Sequence, residues 1–208
     1  MAHVTIIDYG NGNANSIRWA LAQIGAESTY SHLPRDIESA DHLILPGVGH
    51  HGAAMASLRE RDLIGPLNRA VLERKTPTLG ICLGMQLMSR SSEEGGQQSL
   101  GWVDAETSRI RPADQKRFKV PHVGWNTVTA SANSRLLAGI DVASQPFYFC
   151  HSYSISSIKG VDHSALVRHD RDYVATFESG CVFGVQFHPE KSQEPGLALL
   201  RNFLQVGR

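Results

Sequence analysis

Cys82 stands in the stretch TLGICLGMQLM, residues 78 to 88, with Gly80 two residues before it and Gly84 two residues after it. An apolar run precedes this group and a run with helical spacing follows it. A nucleophile on a sharp turn between a strand and a helix is exposed at the carboxyl edge of a sheet, and flanking glycines permit that turn. The helix N-terminus behind Cys82 favours the thiolate, which is the nucleophilic form. The spacing therefore predicts a nucleophilic thiol, although a lone free cysteine is more often a small buried core residue.

A second chemical group lies in GVQFHPEKS, residues 184 to 192, where an apolar strand ends at His188, Pro189 and Glu190. A thiol nucleophile needs a base, and the base needs an orienting carboxylate. Alternate residues of an extended segment point to the same side, so we expect Glu190 beside His188, with Pro189 holding the segment extended. Taken alone, His188 also fits a surface histidine at a strand end. Together with Cys82, the two residues predict a Cys–His–Glu triad.

The stretch LPGVGHHGAAM, residues 45 to 55, is the third candidate element. Acyl transfer through a thiol forms a tetrahedral oxyanion, which needs backbone N–H donors. A glycine-rich loop that leaves a strand at the same sheet edge can supply them, and the N–H of Leu83 is a natural second donor. The same residues also fit an ordinary strand-to-helix loop. No carboxylate or thiol stands at ligand spacing near His50 and His51, so we predict neither a metal nor a cofactor.

The elements that would position these residues alternate through the first half of the chain. Strand candidates are HVTIID, ESTYS, DHLILPGVG and TPTLGICLG. Helix candidates are ANSIRWALAQIG, then AAMASLRERDLIGPLNRAVLERK with an interruption near Gly65 and Pro66, then a helix that begins in MQLMSRSSEE. This alternation predicts a parallel sheet with helices on both faces.

After residue 100 the pattern changes to short strand candidates with few helices between them. These are AETSRIRP, NTVTA, PFYFCHSY, SALVRH, YVATFE and CVFGVQF, followed by a closing helix in EPGLALLRNFLQV. The sequence therefore predicts an α/β fold. We expect an open, mostly parallel, doubly wound sheet with additional antiparallel strands in the C-terminal half, all in one domain over residues 1–208.

Composition excludes several classes of function. The chain has 208 residues, with 20 Lys and Arg against 20 Asp and Glu, so its formal net charge is zero. Nucleic-acid and membrane-surface proteins need a basic excess, so we expect neither kind of partner. Three cysteines are too few for a secreted disulfide framework, and the sequence shows no signal peptide and no membrane span. We expect a soluble cytoplasmic protein.

The motifs carry a family resemblance. PGVG, GICLGMQ and FHPEKS, in this order, resemble the triad-type class I glutamine amidotransferases, whose site is Cys–His–Glu. DYGNGN, KVPHVGWN and YFCHSY add similarity to the glutaminase subunits of imidazole glycerol phosphate synthases, enzymes of histidine biosynthesis. The motifs extend from residue 8 to residue 192.

The resemblance implies an activity and a partner. The protein would have the class I amidotransferase-like fold. It would hydrolyse L-glutamine to glutamate and ammonia through a cysteine thioester. The ammonia would pass to a (β/α)8-barrel synthase (cyclase) subunit, which makes imidazole glycerol phosphate and AICAR in a heterodimer with the glutaminase. No cofactor is implied.

The resemblance also assigns residues by position. Cys82 would be the nucleophile, His188 the base and later the acid, and Glu190 the residue that orients His188. Glutamine and the oxyanion would be held by Gly47, Val48, Gly49, Leu83, Gln86, Ser152 and Tyr153. The face that meets the barrel would carry Asn13, Trp125, Tyr148 and Lys191. By themselves, Trp125 and Tyr148 also fit core aromatic residues, and Lys191 fits a solvated charge.

Three other functions remain open at this stage. The run QSLGWVDAET is more like paralogues that feed ammonia to the amidination of surface sugars, which would change the acceptor and the partner. A non-catalytic regulatory subunit of the same fold would have no reason to keep Cys82, His188 and Glu190. A stand-alone cysteine hydrolase would have no use for Trp125, whose place between Gly124 and Asn126 suggests a turn that displays the ring for docking.

Overall fold

The computed structural model describes residues 3–10, 12–130 and 133–207, with the side chain of Gln97 left undescribed. The strands are β1 (His3–Ile7), β2 (Glu27–Ser31), β3 (His42–Leu45), β4 (Thr78–Ile81), β5 (Ser91–Ser92), β6 (Gln97–Gln98), β7 (Asp104–Arg109), β8 (His122–Asn126), β9 (Val128–Ala130), β10 (Phe147–His151), β11 (Tyr153–Lys159), β12 (His163–Arg168), β13 (Asp172–Ser179) and β14 (Val182–Val185). The α-helices are α1 (Ala14–Gln23), α2 (Pro34–Glu38), α3 (His51–Glu60), α4 (Ile64–Asn68), α5 (Leu83–Leu87) and α6 (Gln193–Phe203). A π-helical turn, Arg69–Glu73, continues α4, and a 3₁₀ turn, Pro189–Lys191, precedes α6.

An eight-stranded sheet forms the centre, in the order β2-β1-β3-β4-β14-β13-β12-β9. Its strands from β2 to β14 pair in parallel. Strand β13 pairs antiparallel with both β14 and β12, and β12 pairs antiparallel with β9. The prediction of a mostly parallel sheet with additional antiparallel strands from the C-terminal half is therefore confirmed, although β14 from that half joins the parallel part.

Helices cover both faces of this sheet, as the alternating pattern predicts. Along β1, Ile6 packs in one hydrophobic cluster and Ile7 in the other, because successive side chains of a strand point to opposite faces. Helices α1 and α6 pack in the first cluster, and α3, α4 and α5 pack in the second. Strand β4 lies in the middle of the sheet and is fully buried. A strand buried on both faces reads as a continuous apolar run, which explains the sequence before Cys82.

Two smaller sheets stand beside the central one. Strands β8 and β10 form an antiparallel pair in which Tyr148 lies opposite Trp125 and His151 lies opposite His122. The other sheet has the order β11-β7-β5-β6. Strands β10 and β11 are separated only by Ser152, so the two small sheets meet at that residue.

Of two local predictions about helices, one is confirmed and one was wrong. The predicted interruption of the second helical segment lies between α3 and α4, where Asp62 has a φ of 54°, and Gly65 and Pro66 follow it in the first turn of α4. Proline is tolerated there because the first N–H groups of a helix have no intrahelical partner. Helix α5 does not extend into SRSSEE but ends at Leu87.

The early end of α5 has a tertiary cause. The returning segment after β6 donates backbone hydrogen bonds to the carbonyls at the end of the helix, from Leu100 to Leu87 at 2.9 Å and from Trp102 to Met88 at 2.9 Å. These donors satisfy carbonyls that a longer helix would have used.

Among the described residues, no helix is long and apolar enough to cross a membrane.

Candidate active site

Cys82 occupies a sharp turn between β4 and α5, as its glycine frame predicts. Its backbone has φ 53° and ψ −106°, a left-handed conformation that costs a non-glycine residue roughly 1–3 kcal/mol. A Cβ atom on Gly84 would lie 1.9 Å from the carbonyl oxygen of Leu45, and one on Gly80 would lie 2.7 Å from the carbonyl carbon of Gly84. Both positions therefore require glycine, because α5 starts in direct contact with β3 and β4.

His188 and Glu190 lie together at the end of β14. Nδ1 of His188 is 2.8 Å from Oε1 of Glu190, and both side chains are almost fully buried. The predicted pairing is correct, but the predicted extended geometry is wrong, since Pro189 begins a 3₁₀ turn. The backbone of His188 is held on both sides: its N–H donates to Tyr148 at 2.9 Å, and its carbonyl accepts from the hydroxyl of Ser192 at 2.6 Å.

The electrostatics of His188 favour its charged form. Burial alone would lower the pKa of His188, but hydrogen bonds with Cys82 and Glu190 and the negative charges of these groups raise it above its ordinary value. Because Nδ1 donates to the carboxylate of Glu190, Nε2 is the nitrogen that serves Cys82. His188 is therefore held as an imidazolium beside Cys82 in neutral solution.

A pocket of about 330 Å³ opens above Cys82 and His188. It is lined by Val48, Gly49, Cys82, Leu83, Gln86, Glu94, Pro121, Cys150, His151, Ser152, Tyr153, His188 and Lys191. Six of the seven residues predicted to hold glutamine and the oxyanion are among them. Gly47 is the exception. A Cβ atom there would lie 2.5 Å from the backbone nitrogen of Gly84, so Gly47 is a position of close packing behind the pocket.

The glycine-rich loop after β3 is anchored at one end and open at the other. The buried hydroxyl of Tyr9 donates to the carbonyl of Pro46 at 2.5 Å. Beyond Pro46, the side chain of Val48 is 40% exposed, and Gly49 has a φ of 106° with open space where a Cβ would lie. The peptide between Val48 and Gly49 therefore has room to rotate next to Leu83.

Gln86 uses its side-chain amide inside the protein. Its Nε2 donates to the carbonyl of Tyr153 at 2.9 Å and to Oε1 of Gln186 at 3.1 Å. Both N–H groups are thus occupied, and Oε1 is the atom left to accept a hydrogen bond in the pocket. Gln86 also fixes the start of β11, where Ser152 and Tyr153 line the pocket.

Sequence reasoning missed several residues of the site. Glu94 was placed in a helix, but it lies in the loop between β5 and β6, lines the pocket, and accepts from the N–H of His51 at 2.8 Å. Gln186 stands two residues before His188 in a fully buried position, and its Nε2 is 3.6 Å from Sγ of Cys82. The polar Gln186 within the apolar run VFGVQF was the available signal for the second residue.

His151 lines the pocket and belongs to a hydrogen-bonded chain that continues through His122. Nδ1 of His151 lies 2.9 Å from the carbonyl of Tyr153, so it carries the proton, and Nε2 accepts from Nδ1 of His122 at 3.1 Å. Asn126 donates in turn to Nε2 of His122 at 3.0 Å. Burial lowers the pKa of His122 to about 4 and that of His151 to about 3. Both rings are therefore neutral in neutral solution.

The residues predicted for the partner face fall into two groups. Trp125 lies within strand β8, so the predicted turn at this residue was wrong, but the ring is 47% exposed. It makes an edge contact with Tyr148, their ring centroids 5.7 Å apart. Nζ of Lys191 lies 5.7 Å from the centroid of Tyr148, so these three residues form one cluster, called here the aromatic cluster. Asn13 stands apart from it at the start of α1, although α1 packs against the turn that carries Lys191.

His50 and His51 have structural roles in the described structure. Nδ1 of His50 accepts from the N–H of Gly52 at 3.1 Å and so caps α3, while Nε2 of His51 lies 2.9 Å from the hydroxyl of Ser99. Within the described ranges, no group of three or more His, Cys, Asp or Glu side chains is placed to hold a metal ion.

The sequence matches the Glutamine amidotransferase class-I family over residues 5–206. The chain therefore belongs to the class-I glutamine amidotransferase family. It is 39% identical over 202 residues to imidazole glycerol phosphate synthase subunit HisH 2 of Methanococcus maripaludis, covering 97% of this chain and 98% of that protein. It is also 39% identical over 203 residues to the HisH 2 subunit of Pseudomonas aeruginosa, covering 98% and 99%, and 40% identical over 204 residues to the HisH 1 subunit of Campylobacter jejuni, covering 98% and 100%.

Solved structures share the fold at low sequence identity. A crystal structure of a glutamine amidotransferase superposes with a TM-score of 0.71 at 20% identity, covering 97% of this chain and 96% of that chain. The structure of PurLQS from Thermotoga maritima gives a TM-score of 0.68 at 19% identity, covering 98% of each chain. The predicted α/β fold class is thus confirmed.

Proposed function

We propose that the chain, as one glutaminase domain over residues 1–208, hydrolyses L-glutamine to glutamate and ammonia. It would deliver the ammonia to a (β/α)8-barrel synthase subunit of an imidazole glycerol phosphate synthase. The observation that carries this proposal is the position of His188, which pairs with Glu190 at 2.8 Å and lines the same pocket as Cys82.

The first half of the reaction forms a thioester. The thiolate of Cys82 attacks the side-chain carbonyl carbon of glutamine, and the carbonyl oxygen becomes an oxyanion. His188 then gives its Nε2 proton to the leaving nitrogen, so the C–N bond breaks and ammonia departs. Glu190 keeps Nδ1 protonated and stabilises the imidazolium without taking its proton.

The second half returns the enzyme to its starting state. Neutral His188 takes a proton from a water molecule as that water attacks the thioester carbonyl carbon. Collapse of the tetrahedral intermediate breaks the C–S bond and releases glutamate. Cys82 leaves as a thiolate beside the imidazolium of His188, which is the pair that the site favours electrostatically.

Recognition of glutamine requires partners for two charges. The carboxylate of Glu94 and Oε1 of Gln86 face the pocket and suit the α-ammonium group. Backbone N–H groups around Ser152 and Tyr153 suit the α-carboxylate, because this short segment between two strands also lines the pocket. This arrangement extends the set of glutamine-binding residues by Glu94.

The oxyanion requires N–H donors from two directions. The N–H of Leu83, at the start of α5, supplies one of them. The loop through Gly47, Val48 and Gly49 supplies the other after rotation of the Val48–Gly49 peptide. Such rotation is cheap at a glycine, so the second donor can be withheld in the resting state. Withholding one donor costs roughly 3–4 kcal/mol, or about 10²–10³ in rate.

The aromatic cluster and Asn13 would form the face that meets the barrel. Exposed aromatic side chains on rigid strands are typical anchors of protein interfaces. Lys191 lies both in this cluster and in the wall of the pocket, so the proposed interface adjoins the site where ammonia is released. Released ammonia is protonated in bulk water and ceases to be a nucleophile, which is the physical reason for a closed path.

The histidine pathway is the acceptor that the relatives favour, since the compared proteins are all named as HisH subunits of imidazole glycerol phosphate synthase. A surface-sugar synthase is the second candidate for the partner, because the run QSLGWVDAET resembles paralogues that feed ammonia to such enzymes. In the structure, Trp102 of that run donates to Asn68 at 2.8 Å and packs against the second hydrophobic cluster, and it is not among the residues that line the pocket. Trp102 therefore has a packing role, and comparison of the two kinds of barrel subunit distinguishes the acceptors.

The test measures glutamate release by the chain alone, with a purified barrel subunit, and with the barrel plus its acceptor. We expect very slow turnover alone and acceleration of about 10²–10³ in the full complex, because only a partner that binds the rotated loop more tightly can shift its equilibrium. Barrels from the histidine pathway and from a sugar-amidinating system are compared. Equal rates in every mixture would show a preformed oxyanion hole, and no glutamate release in any mixture would refute the glutaminase assignment.

A further inference from the structure

A hydrogen-bonded relay of two buried amides ends on the sulfur of Cys82. It begins at the carbonyl of Tyr153, passes through the side chains of Gln86 and Gln186, and reaches Sγ, with donor–acceptor distances of 2.9, 3.1 and 3.6 Å. Gln186 is fully buried and Gln86 is 4% exposed. Neither the triad nor the binding of glutamine requires a buried amide at position 186.

The relay determines which way each amide points. The carbonyl of Tyr153 can only accept, so Gln86 must present its N–H groups toward it and toward Gln186. Gln186 must then turn its Oε1 to Gln86, because two amide nitrogens facing each other would leave both donors unpaired. Its Nε2 is therefore the group that faces Cys82, and the orientation follows from the network itself.

The start of the relay is itself held in place. The carbonyl of Tyr153 accepts a second hydrogen bond, from Nδ1 of His151 at 2.9 Å. The backbone N–H of Gln186 donates to Ala175 at 2.8 Å, which fixes Gln186 in the sheet. The side-chain N–H of Gln186 is thus directed at Sγ of Cys82 by Tyr153, Gln86 and the sheet, which are all in place before any substrate binds.

We propose that Gln186 is a catalytic residue that stabilises the thiolate of Cys82 through a side-chain N–H, and that Gln86 is the positioning residue that orients it. A donor in a buried site favours an anion over a neutral thiol, because hydrogen bonds to ionised groups are about twice as strong as neutral ones. The inference rests on the proposed function in one respect, that Cys82 is the nucleophile.

The role of Gln186 also differs from that of His188. His188 both stabilises the thiolate and gives a proton to the leaving group, so its loss stops the chemistry. Gln186 gives no proton and only keeps the sulfur charged. Loss of its N–H should therefore shift the pH range in which Cys82 reacts and leave the path of the reaction unchanged.

The experiment measures the rate at which iodoacetamide alkylates Cys82 as a function of pH. Peptide mass spectrometry separates Cys82 from the other two cysteines, Cys150 and Cys181. We expect Gln186→Met, which removes the donor and keeps the volume, to move the midpoint of the profile up by about one pH unit and to slow alkylation at neutral pH about tenfold. Gln86→Met should move it in the same direction by less.

The control is Ser154→Ala, which removes a buried hydroxyl without a hydrogen-bond partner in the described structure and should leave the midpoint unchanged. Circular dichroism confirms folding, and Gln186→Leu, which also removes the donor and adds no charge, serves where Gln186→Met fails to fold. An unchanged midpoint in a folded Gln186 variant overturns the proposal. Alkylation needs neither glutamine nor a partner, so a shifted midpoint in a chain without glutaminase activity would refute the proposed function alone.

Discussion

The backbone N–H of His188 donates to the carbonyl of Tyr148 at 2.9 Å, and their ring centroids lie 6.4 Å apart. Strand β10, which carries Tyr148 of the aromatic cluster, thus holds the backbone of the proposed base directly. A partner that docks on Tyr148 and Trp125 would contact a strand that is hydrogen-bonded directly to His188. Coupling between the two sites then needs no long path through the protein.

Cys82→Ala should abolish glutamine hydrolysis, with a loss on the order of 10⁶ in rate, because it removes the thiol that is positioned next to His188 in the triad. Synthesis driven by added ammonium salt should survive in the complex, since the thiol makes ammonia and does not use it. The matched control is Cys181→Ala, a free thiol outside the pocket, which should keep full activity. Glutamate release by a folded Cys82→Ala chain would contradict the assignment.

Glu190→Gln should reduce glutaminase activity less than His188→Ala does. The carboxylate orients the imidazole and supports its positive charge, whereas His188 transfers the proton itself. Because Glu190 is one of the groups that raise the pKa of His188, Glu190→Gln should also move the pH profile of the reaction to lower pH. Steady-state kinetics across pH measure both effects. Equal losses at every pH would assign Glu190 a direct chemical role.

Gly84→Ala should destabilise the protein and remove glutaminase activity together. The added methyl group would lie 1.9 Å from the carbonyl oxygen of Leu45, so α5 must move away from β3 and carry the Cys82 turn with it. We expect a loss of roughly 1–3 kcal/mol or more in the free energy of unfolding. Gly65→Ala in α4 is the control: its methyl group meets only the end of Arg69 at 3.5 Å, and the change should be neutral or stabilising.

The free energy of unfolding should fall as the pH drops from about 6.5 toward 4. Burial lowers the pKa of His151 to about 3 and that of His51 to about 4 from 6.5, so in this window the unfolded chain binds protons that the folded chain refuses. Urea titrations of wild type and His151→Gln test this prediction. The variant should lose less stability across the window, by on the order of a few kcal/mol. At pH 8 both histidines are neutral in both states, so any difference there reports changed packing and hydrogen bonding and not titration.

Trp125→Ala should weaken binding of the barrel subunit by roughly 2 kcal/mol, about thirtyfold in Kd, without lowering the stability of the isolated chain. The ring is 47% exposed and makes an edge contact with Tyr148, so it contributes little to the core. Isothermal titration calorimetry measures the affinity. Leu72→Ala, a comparable change at an apolar side chain that is 44% exposed and outside the aromatic cluster, should bind normally. Equal affinities for both variants would place the interface elsewhere.

The sequence by itself determined the local parts of the site. The spacing of Gly80, Cys82 and Gly84 predicts the turn, because only glycine permits the close approach of α5 to its strands. The pairing of His188 with Glu190 was also predictable, since two residues of separation bring them together in an extended segment and in the 3₁₀ turn that the structure shows. The alternation of strands and helices similarly predicted the sheet.

Only the tertiary structure decided which residues from distant parts of the chain meet in the site. Cys82 and His188 meet because β4 and β14 are parallel neighbours, with Val185 opposite Ile81, so both strands end at the same edge of the sheet. The contact of Gln186 with Cys82 follows from the order of strands in the sheet. The segment that returns after β6 explains the short length of α5 and the entry of Glu94 into the pocket. Local propensity carries no information about contacts between residues far apart in the chain, because their free energy is gained only when the sheet brings them together.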